Sequence, residues 1–272
     1  MTSSRFPTIL NWAGSKAQVA KMLLNLGTSW FKTYHEPFLG SGAAFLGLAS
    51  AGLISRSFLS DINPHLTNVF RAIQKQPNDV VSGLCIHSLL DSDIHFSATL
   101  GRLNVKAPNG QVDIKDASDM IYLRSQSFHS TWYETRDGQV SMSRRRHTRP
   151  FRARKQNVIR AAALLQDATV SHADFRLMLG RVETGDLVFL DPPYLYEQDQ
   201  VDQQSYNTAR FGLADLQDLS VEIHRLVDLG AQVVFCWGEI ADEVVPDGGG
   251  WIRVGRECVW ISKGLVQKQI LQ

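Results

Sequence analysis

A short apolar run that ends at two prolines constrains this chain more than any other feature. Leu187 to Leu190 are apolar and partly β-branched, as in a strand buried on both faces of a parallel sheet. Pro192 and Pro193 follow closely, and because neither has an amide hydrogen, the strand cannot continue through them. The chain must therefore turn out at the carboxyl end of this strand, which is the edge where open α/β sheets bind ligands.

The segment Asp191-Pro192-Pro193-Tyr194 brings a carboxylate, backbone carbonyls and an aromatic ring to that edge. These groups suit an exocyclic amine on a planar ring, because the carboxylate and a carbonyl accept its two hydrogens while Tyr194 stacks on the face. A rigid loop without such a role is the alternative. Other motifs in the chain decide between the two interpretations.

The stretch from Tyr34 to Phe45 predicts a strand, a turn of small residues and a helix. Gly40 and Gly42 in this turn would let a ligand approach the backbone closely. A dinucleotide fingerprint would need a third glycine where Phe45 stands, so a nicotinamide cofactor is disfavoured.

A second strand is predicted from Phe58 and ends in Asp61, roughly twenty residues beyond the glycine turn. An acid at this place commonly accepts both ribose hydroxyls of an adenosine-containing ligand. The alternative is a helix N-cap, because Pro64 follows closely and both Asp and Asn are good caps.

Near the amino end, Asn11-Trp12-Ala13-Gly14-Ser15-Lys16 precedes a helical pattern of apolar residues. Gly14 and Ser15 leave backbone amides uncovered at the helix start, and Lys16 lies beside them. Together they predict a small anion site that suits a carboxylate. An ordinary capped helix is the alternative.

These four signals stand in one order, and together they resemble the Dam-type (alpha-group) N6-adenine DNA methyltransferases over nearly the whole chain. The matching stretches are Trp12-Ala13-Gly14-Ser15-Lys16, Glu36-Pro37-Phe38-Leu39-Gly40-Ser41-Gly42, Asp61-Ile62-Asn63 and Asp191-Pro192-Pro193-Tyr194. The resemblance implies an α/β fold: a Rossmann-like, S-adenosylmethionine-dependent sheet with an inserted, mostly helical target-recognition domain that carries a β-hairpin. It also implies three segments, with catalytic parts at 1–63 and 157–272 and the insertion at 64–156.

By this resemblance the tetrapeptide is catalytic and holds the amine of an adenine flipped out of duplex DNA. The implied catalytic residues are Asp191, Pro192, Pro193 and Tyr194. The residues implied to bind S-adenosylmethionine are Trp12, Lys16, Glu36, Pro37, Phe38, Gly40, Gly42, Asp61, Asp174, Phe175 and Asp191. In that set Asp174 would accept the N6 hydrogens of the cofactor adenine and Phe175 would cover its ring, although a strand end with a core Phe explains the pair equally well. No metal is expected.

Within the insertion, the apolar spacing predicts helices around Leu66 to Ile73, Val80 to Leu84 and Met120 to Phe128, whereas Leu89 to Asp119 has no assignable pattern. Trp132 to Ser143 predicts a β-hairpin with Asp137-Gly138 as a two-residue turn. Such a ribbon fits the major groove, and a solvated surface hairpin is the alternative.

A strongly basic segment follows the hairpin. Between Met142 and Arg160 there are eight Arg or Lys and no acid, so a chain of net charge +1 leaves 1 − 8 = −7 for the remainder. This asymmetry predicts a surface that contacts DNA phosphates. The residues predicted to contact phosphates are Arg144, Arg145, Arg146 and Arg149. At the tip of the hairpin, Arg136 or Gln139 could read base edges. The resemblance adds Arg124 to the residues that contact DNA.

Composition limits the remaining choices. Three widely spaced cysteines, Cys85, Cys236 and Cys258, favour a reducing cytoplasm, and no signal peptide or membrane span is predicted. We expect a bacterial or phage-encoded monomer or weak dimer that acts on double-stranded DNA and not on membranes, with a cognate restriction endonuclease as an open question. RNA adenine methylation, cytosine N4 methylation and a catalytically silent DNA-binding role are the alternatives. Cys236-Trp237 stands where the family often has Ser-Asn, and Gln269-Ile270-Leu271 lacks an acid that is common there.

Overall fold

The computed structural model describes residues 6–12, 14, 16–25, 31–105, 110–128, 133–135, 138–146, 149–195 and 211–265. Their contacts divide them into two compact units. The described residues of the first unit fall within 6–14 and 63–166, and those of the second within 16–62, 167–195 and 211–265.

The described residues form both strands and helices. The strands are β1 (Tyr34–Glu36), β2 (Ser57–Asp61), β3 (Tyr133–Glu134), β4 (Val140–Ser141), β5 (Ala168–His172), β6 (Leu187–Leu190), β7 (Gln232–Trp237), β8 (Gly250–Val254) and β9 (Glu257–Ile261). The helices are α1 (Ala17–Asn25), α2 (Ala43–Ser50), α3 (Pro64–Lys75), α4 (Pro77–Leu90), α5 (Asp93–Leu103), α6 (Ile114–Gln126), α7 (Lys155–Leu164), α8 (Phe175–Leu179) and α9 (Leu213–Leu229).

The second unit contains a seven-stranded sheet in the order β5-β2-β1-β6-β7-β9-β8. The first five strands are parallel to their neighbours, and β9 runs antiparallel between β7 and β8. The predicted Rossmann-like α/β class is therefore confirmed. The strand order reverses between β1 and β6, and such a switch point is where open sheets of this type bind ligands.

Strand β6 is the buried run that the sequence predicted. All four of its residues are buried, and it pairs in parallel with β1 on one side and with β7 on the other. Because it is central, the prolines after Asp191 end the strand inside the sheet and not at a side edge. The predicted exit at the carboxyl end of β6 is confirmed.

An antiparallel hairpin of β8 and β9 closes the sheet. Trp251 in β8 pairs with Trp260 in β9, and Trp260 pairs in turn with Phe235 of β7. The predicted departure at Gln269-Ile270-Leu271 lies outside the described residues.

The first unit is helical. Helix α6 packs against α3, α4 and α5, and Met120, Tyr122 and Leu123 are among its buried residues. The three predicted helices are present, but α5 and the first turns of α6 were not predicted. The reason is that α5 buries Thr99 and exposes Ile94, so its apolar residues do not follow one face.

The hairpin of the first unit has a longer turn than the sequence predicted. The Thr135 amide donates to the Gln139 carbonyl, and this is the hydrogen-bonded pair nearest to the turn. Three residues, and not two, lie between these two residues. Gly138 has φ 75°, the left-handed conformation that the last position of a three-residue hairpin loop requires. The predicted two-residue turn is therefore wrong, whereas the predicted pairing of the flanking strands is confirmed.

None of the helices in the described part of the chain combines the length and the apolar character needed to cross a bilayer.

Candidate active site

The loop between β1 and α2 contains two glycines at the switch point of the sheet. Gly40 and Gly42 have φ values of 49° and 65°, which only glycine adopts readily. The Gly42 amide donates to the Leu39 carbonyl at 2.7 Å, and Gly42 is the N-cap of α2. The predicted turn of small residues is present and presents bare backbone at the carboxyl end of β1.

Asp61 lies at the carboxyl end of the neighbouring strand and contacts this loop. Its Oδ2 accepts a hydrogen bond from the Gly40 amide at 3.0 Å. The N-cap of α3 is Asn63 instead, whose side chain accepts from the His65 and Leu66 amides. The alternative assignment of Asp61 as a helix cap is therefore excluded.

Glu36 is a buried carboxyl group beneath the same loop. It is 2% exposed, and its Oε2 accepts from the Tyr34 hydroxyl at 2.8 Å and from the Phe45 amide at 3.0 Å. Burial raises the pKa of Glu36 to about 8, and the carboxylates of Asp191 and Asp61 add to the increase. At neutral pH this group is therefore mostly a neutral acid.

Asp191 forms an ion pair with Lys16. Lys16 Nζ lies 3.0 Å from Asp191 Oδ1, and the two side chains are 5% and 21% exposed. Burial raises the pKa of the Asp191 carboxyl to about 6, although Lys16 acts to lower it. Burial also opposes the charge on Lys16, but Asp191, Cys236 and Glu257 together raise the pKa of its ammonium group. The pair is ionised at neutral pH.

Tyr194 is held on several sides. Its ring packs edge-on against Trp237 with 5.3 Å between centroids, and Lys16 Nζ lies 5.2 Å from its centroid. A Cβ at Gly238 would come within 3.4 Å of the ring. The Tyr194 hydroxyl donates to Glu257 Oε2. Of the intervening prolines, Pro192 is buried and Pro193 is partly exposed.

The sequence did not single out two residues of this site. Glu257 follows a turn in the closing hairpin, where no local motif marks it. Tyr34 could have been found, because residues two apart in a strand face the same side and Tyr34 stands two before Glu36. Trp237, noted only as a departure from the family pattern, packs against Tyr194.

Asp174 and Phe175 lie at the carboxyl end of β5, at the start of α8. Asp174 is the N-cap of α8, accepts from the Arg176 amide, and is 38% exposed in an ion pair with the Arg176 side chain. Phe175 is 5% exposed and its ring lies 5.3 Å from that of Phe38. Pro37 joins Glu36 to Phe38 in the loop after β1.

Trp12 belongs to the first unit, where its ring packs against a buried arginine. The Arg124 guanidinium carbon lies 4.4 Å from the Trp12 ring centroid, and Arg124 is 1% exposed. Arg124 is thus part of the interior of this unit in the structure, although the sequence predicted it at the DNA surface.

The basic segment pairs with the end of α6. Ser127 and Arg144 form an isolated antiparallel bridge, and the Arg145 amide donates to the Gln126 carbonyl. The Arg144 guanidinium is bound by Asp91 at 2.6 Å and by Asp93 at 2.5 Å. By contrast, six basic side chains that follow it in the segment are exposed. They are Arg145, Arg146, Arg149, Arg152, Arg154 and Lys155.

The hairpin beside this segment is fixed by one asparagine. The Asn104 side chain donates to the Val140 carbonyl at 2.8 Å and accepts from the Val140 amide at 2.6 Å. Gln139, predicted at the tip, is exposed. Arg136, predicted beside it, lies outside the described residues.

Across the described residues, no group of three or more His, Cys, Asp or Glu side chains is arranged to hold a metal ion.

Known proteins resemble this chain over most of its length. The model of the D12 class N6 adenine-specific DNA methyltransferase family matches residues 12–233. The chain is 23% identical over 211 residues to the type II methyltransferase M1.LlaDCHI of Lactococcus lactis subsp. cremoris, covering 75% of this chain and 71% of the relative. It is 23% identical over 220 residues to a DNA adenine methylase of Serratia marcescens, covering 80% and 77%, and 24% identical over 229 residues to a DNA adenine methylase of Haemophilus influenzae, covering 79% and 74%.

The buried acid Glu36 makes stability depend on pH in a defined direction. Its pKa of about 8 in the folded chain lies above the ordinary 4.5, so folding binds a proton at intermediate pH. The contribution of this group is fully present below pH 4.5 and is lost as the pH rises through about 8. We expect Glu36→Gln, which resembles the protonated acid, to flatten the decrease in unfolding free energy over this range.

Urea denaturation at several pH values measures this dependence. Glu243→Gln removes an exposed acid and serves as the control, because its slope should equal that of the wild type. A Glu36→Gln slope equal to the wild-type slope would contradict the assignment of a neutral Glu36.

Proposed function

Because the chain belongs to the D12 class N6 adenine-specific DNA methyltransferase family, we propose that it transfers a methyl group from S-adenosylmethionine to N6 of an adenine flipped out of duplex DNA at specific sites. One observation carries the assignment of roles: Asp191 and Tyr194 leave the sheet beside the glycine turn of β1, and Lys16 keeps Asp191 ionised.

Asp191 and Pro192 are the proposed acceptors for the target amine. Lys16 contacts Oδ1 of Asp191, so we assign Oδ2 and the Pro192 carbonyl to the two amine hydrogens. Held in this way, the nitrogen presents its lone pair to the methyl group, and Tyr194 stacks on the base. Positioning of the amine against the methyl group then supplies much of the rate enhancement. The reason is that the positive charge on the sulfonium is neutralised as the methyl group leaves.

The residues at the strand ends fit the cofactor. Gly40 and Gly42 give a backbone without side chains, and Asp61 places a carboxylate beside it for ribose hydroxyls. When bound, S-adenosylmethionine supplies an electrophilic methyl group on a sulfonium. We propose that Asp174 accepts the amine hydrogens of the cofactor adenine and that Phe175 packs near its ring. The remaining proposed cofactor residues are Trp12, Lys16, Glu36, Pro37, Phe38 and Asp191.

Residues 64–156 form the proposed target-recognition insertion. Exposure supports Arg145, Arg146 and Arg149 as phosphate contacts, which give affinity without reading sequence. Arg136 and Gln139 are the proposed readers of base edges. Arg124 is buried and Arg144 is paired with two aspartates, so we propose that these two support the surface from within.

The proposed location and partners of the protein follow from its DNA substrate. The proposal places the enzyme with the DNA of a bacterium or of a phage-infected cell, in the cytoplasm. It acts as a monomer or weak dimer, because both the amine acceptors and the cofactor turn are supplied by one chain. A cognate restriction endonuclease is the further partner to test.

Replacing Asp191 tests the catalytic role directly. Asp191→Asn keeps the size of the side chain but removes its charge and one acceptor, so transfer of tritiated methyl groups to duplex DNA should fall by roughly a hundredfold or more. Binding of S-adenosylmethionine, measured by calorimetry, should fall much less. Nucleosides from the wild-type product should contain N6-methyladenine. Asp228→Asn, an exposed acid on α9, is the control, and an Asp191→Asn variant as active as this control would refute the role.

The exposed arginines make DNA binding dependent on salt. Arg145→Gln or Arg146→Gln should each lower the magnitude of the slope of log K against log salt concentration by about 1. Arg144→Gln should lower it less, because Asp91 and Asp93 already bind that guanidinium. Arg253→Gln, in the other unit, is the control. Equal slopes for all four variants and the wild type would exclude this surface as the phosphate contact.

A further inference from the structure

Glu257 is an acidic residue of the site to which neither a motif nor the proposed mechanism gives a role. It is the first residue of β9 and pairs with Val254 of β8. In the same strand, Cys258 pairs with Trp237 of β7. The closing hairpin therefore brings a carboxylate, 23% exposed, to the place where Tyr194 packs on Trp237.

Both oxygens of Glu257 contact residues of the proposed machinery. Its Oε1 lies 3.3 Å from Lys16 Nζ, and its Oε2 accepts a hydrogen bond from the Tyr194 hydroxyl. Lys16 Nζ is at the same time 3.0 Å from Asp191 Oδ1. One ammonium group thus lies between two carboxylates, and the second carboxylate also fixes the tyrosine.

This arrangement changes what Asp191 can offer to a ligand. One lysine shared by two carboxylates leaves a net charge of −1 on the three groups. Without Glu257, Lys16 would be attracted to Asp191 alone and would compete with an amine for its lone pairs. With Glu257 present, Lys16 is held from two directions and pairs less strongly with Asp191, although the second carboxylate also raises the pKa of Asp191.

We infer that Glu257 is a positioning residue for methyl transfer. It shares Lys16 with Asp191 and accepts a hydrogen bond from the Tyr194 hydroxyl. In this way it sets how strongly Lys16 pairs with the carboxylate and fixes the orientation of the ring, the two groups that face the target base. The inference rests on the proposed function, and it adds a residue from the closing hairpin to the site.

The other ionisable groups near Asp191 come from β1 and β7. Burial raises the pKa of the Glu36 carboxyl to about 8, so that group is mostly uncharged at neutral pH. Burial likewise raises the pKa of the Cys236 thiol well above its ordinary value. The pKa of Asp191 near neutral pH should therefore respond to two neighbouring charges, those of Lys16 and Glu257.

The variant Glu257→Gln removes the charge and keeps the size of the side chain. We expect kcat for transfer to duplex DNA to fall by about tenfold or more, while KM for S-adenosylmethionine changes less, because the acceptor and the ring are displaced and the cofactor turn is not. The carboxyl titration of Asp191, followed by carbon-13 NMR and assigned by its loss in Asp191→Asn, should move to lower pH because a neighbouring negative charge is gone. Glu243→Gln should change neither quantity.

A second variant covers the case in which Glu257→Gln does not fold. Glu257→Asp keeps the charge on a side chain one methylene shorter, which cannot reach both Lys16 and Tyr194. It should lower kcat while moving the Asp191 titration less than Glu257→Gln does.

Two results would overturn the inference: a kcat equal to that of the wild type in either variant, or an unmoved Asp191 titration in Glu257→Gln. A wild-type chain that transfers no methyl group to DNA would instead refute the proposed function. The titration needs neither DNA nor cofactor, so it would still decide whether Glu257 sets the charge of Asp191.

Discussion

The ion pair between Lys16 and Asp191 is the interaction on which the site depends. A carboxylate that leaves a central strand loses hydration, and burial alone would favour its neutral form. The lysine, only 5% exposed, keeps the acid ionised near neutral pH by lying 3.0 Å away. Such a pair is costly to bury and contributes little to stability, so its presence at a strand end supports the role proposed for Asp191.

The topology of the sheet explains how distant stretches of sequence form one site. The glycine turn, Asp61, Asp174 and Asp191 all lie at the carboxyl ends of parallel strands, which are at the same edge of the sheet. The strand order reverses between β1 and β6. The connections that leave these two strands therefore run in opposite directions, which leaves a crevice at their carboxyl ends. The antiparallel hairpin then adds a carboxylate, Glu257, by a route that a purely parallel sheet does not offer.

The sequence predicted those parts of the structure that depend on local chemistry. Strand β6 was predicted because its burial and its prolines are encoded within eight residues. Helix α5 was missed because its buried face includes Thr99. Neither the pairing of Arg144 with two aspartates nor the contact of Glu257 with Lys16 could be predicted, because both join residues that only tertiary folding brings together.

The central claim is that one site binds the methyl donor at the glycine turn and presents Asp191 to the base that receives the methyl group. A crystal structure of the protein with S-adenosylhomocysteine tests it most directly. We expect the ribose hydroxyls within hydrogen-bonding distance of Asp61, and the sulfur atom facing the crevice between Asp191 and Tyr194. A ligand bound away from the Gly40 turn, or one whose sulfur faces away from Asp191, would contradict the claim.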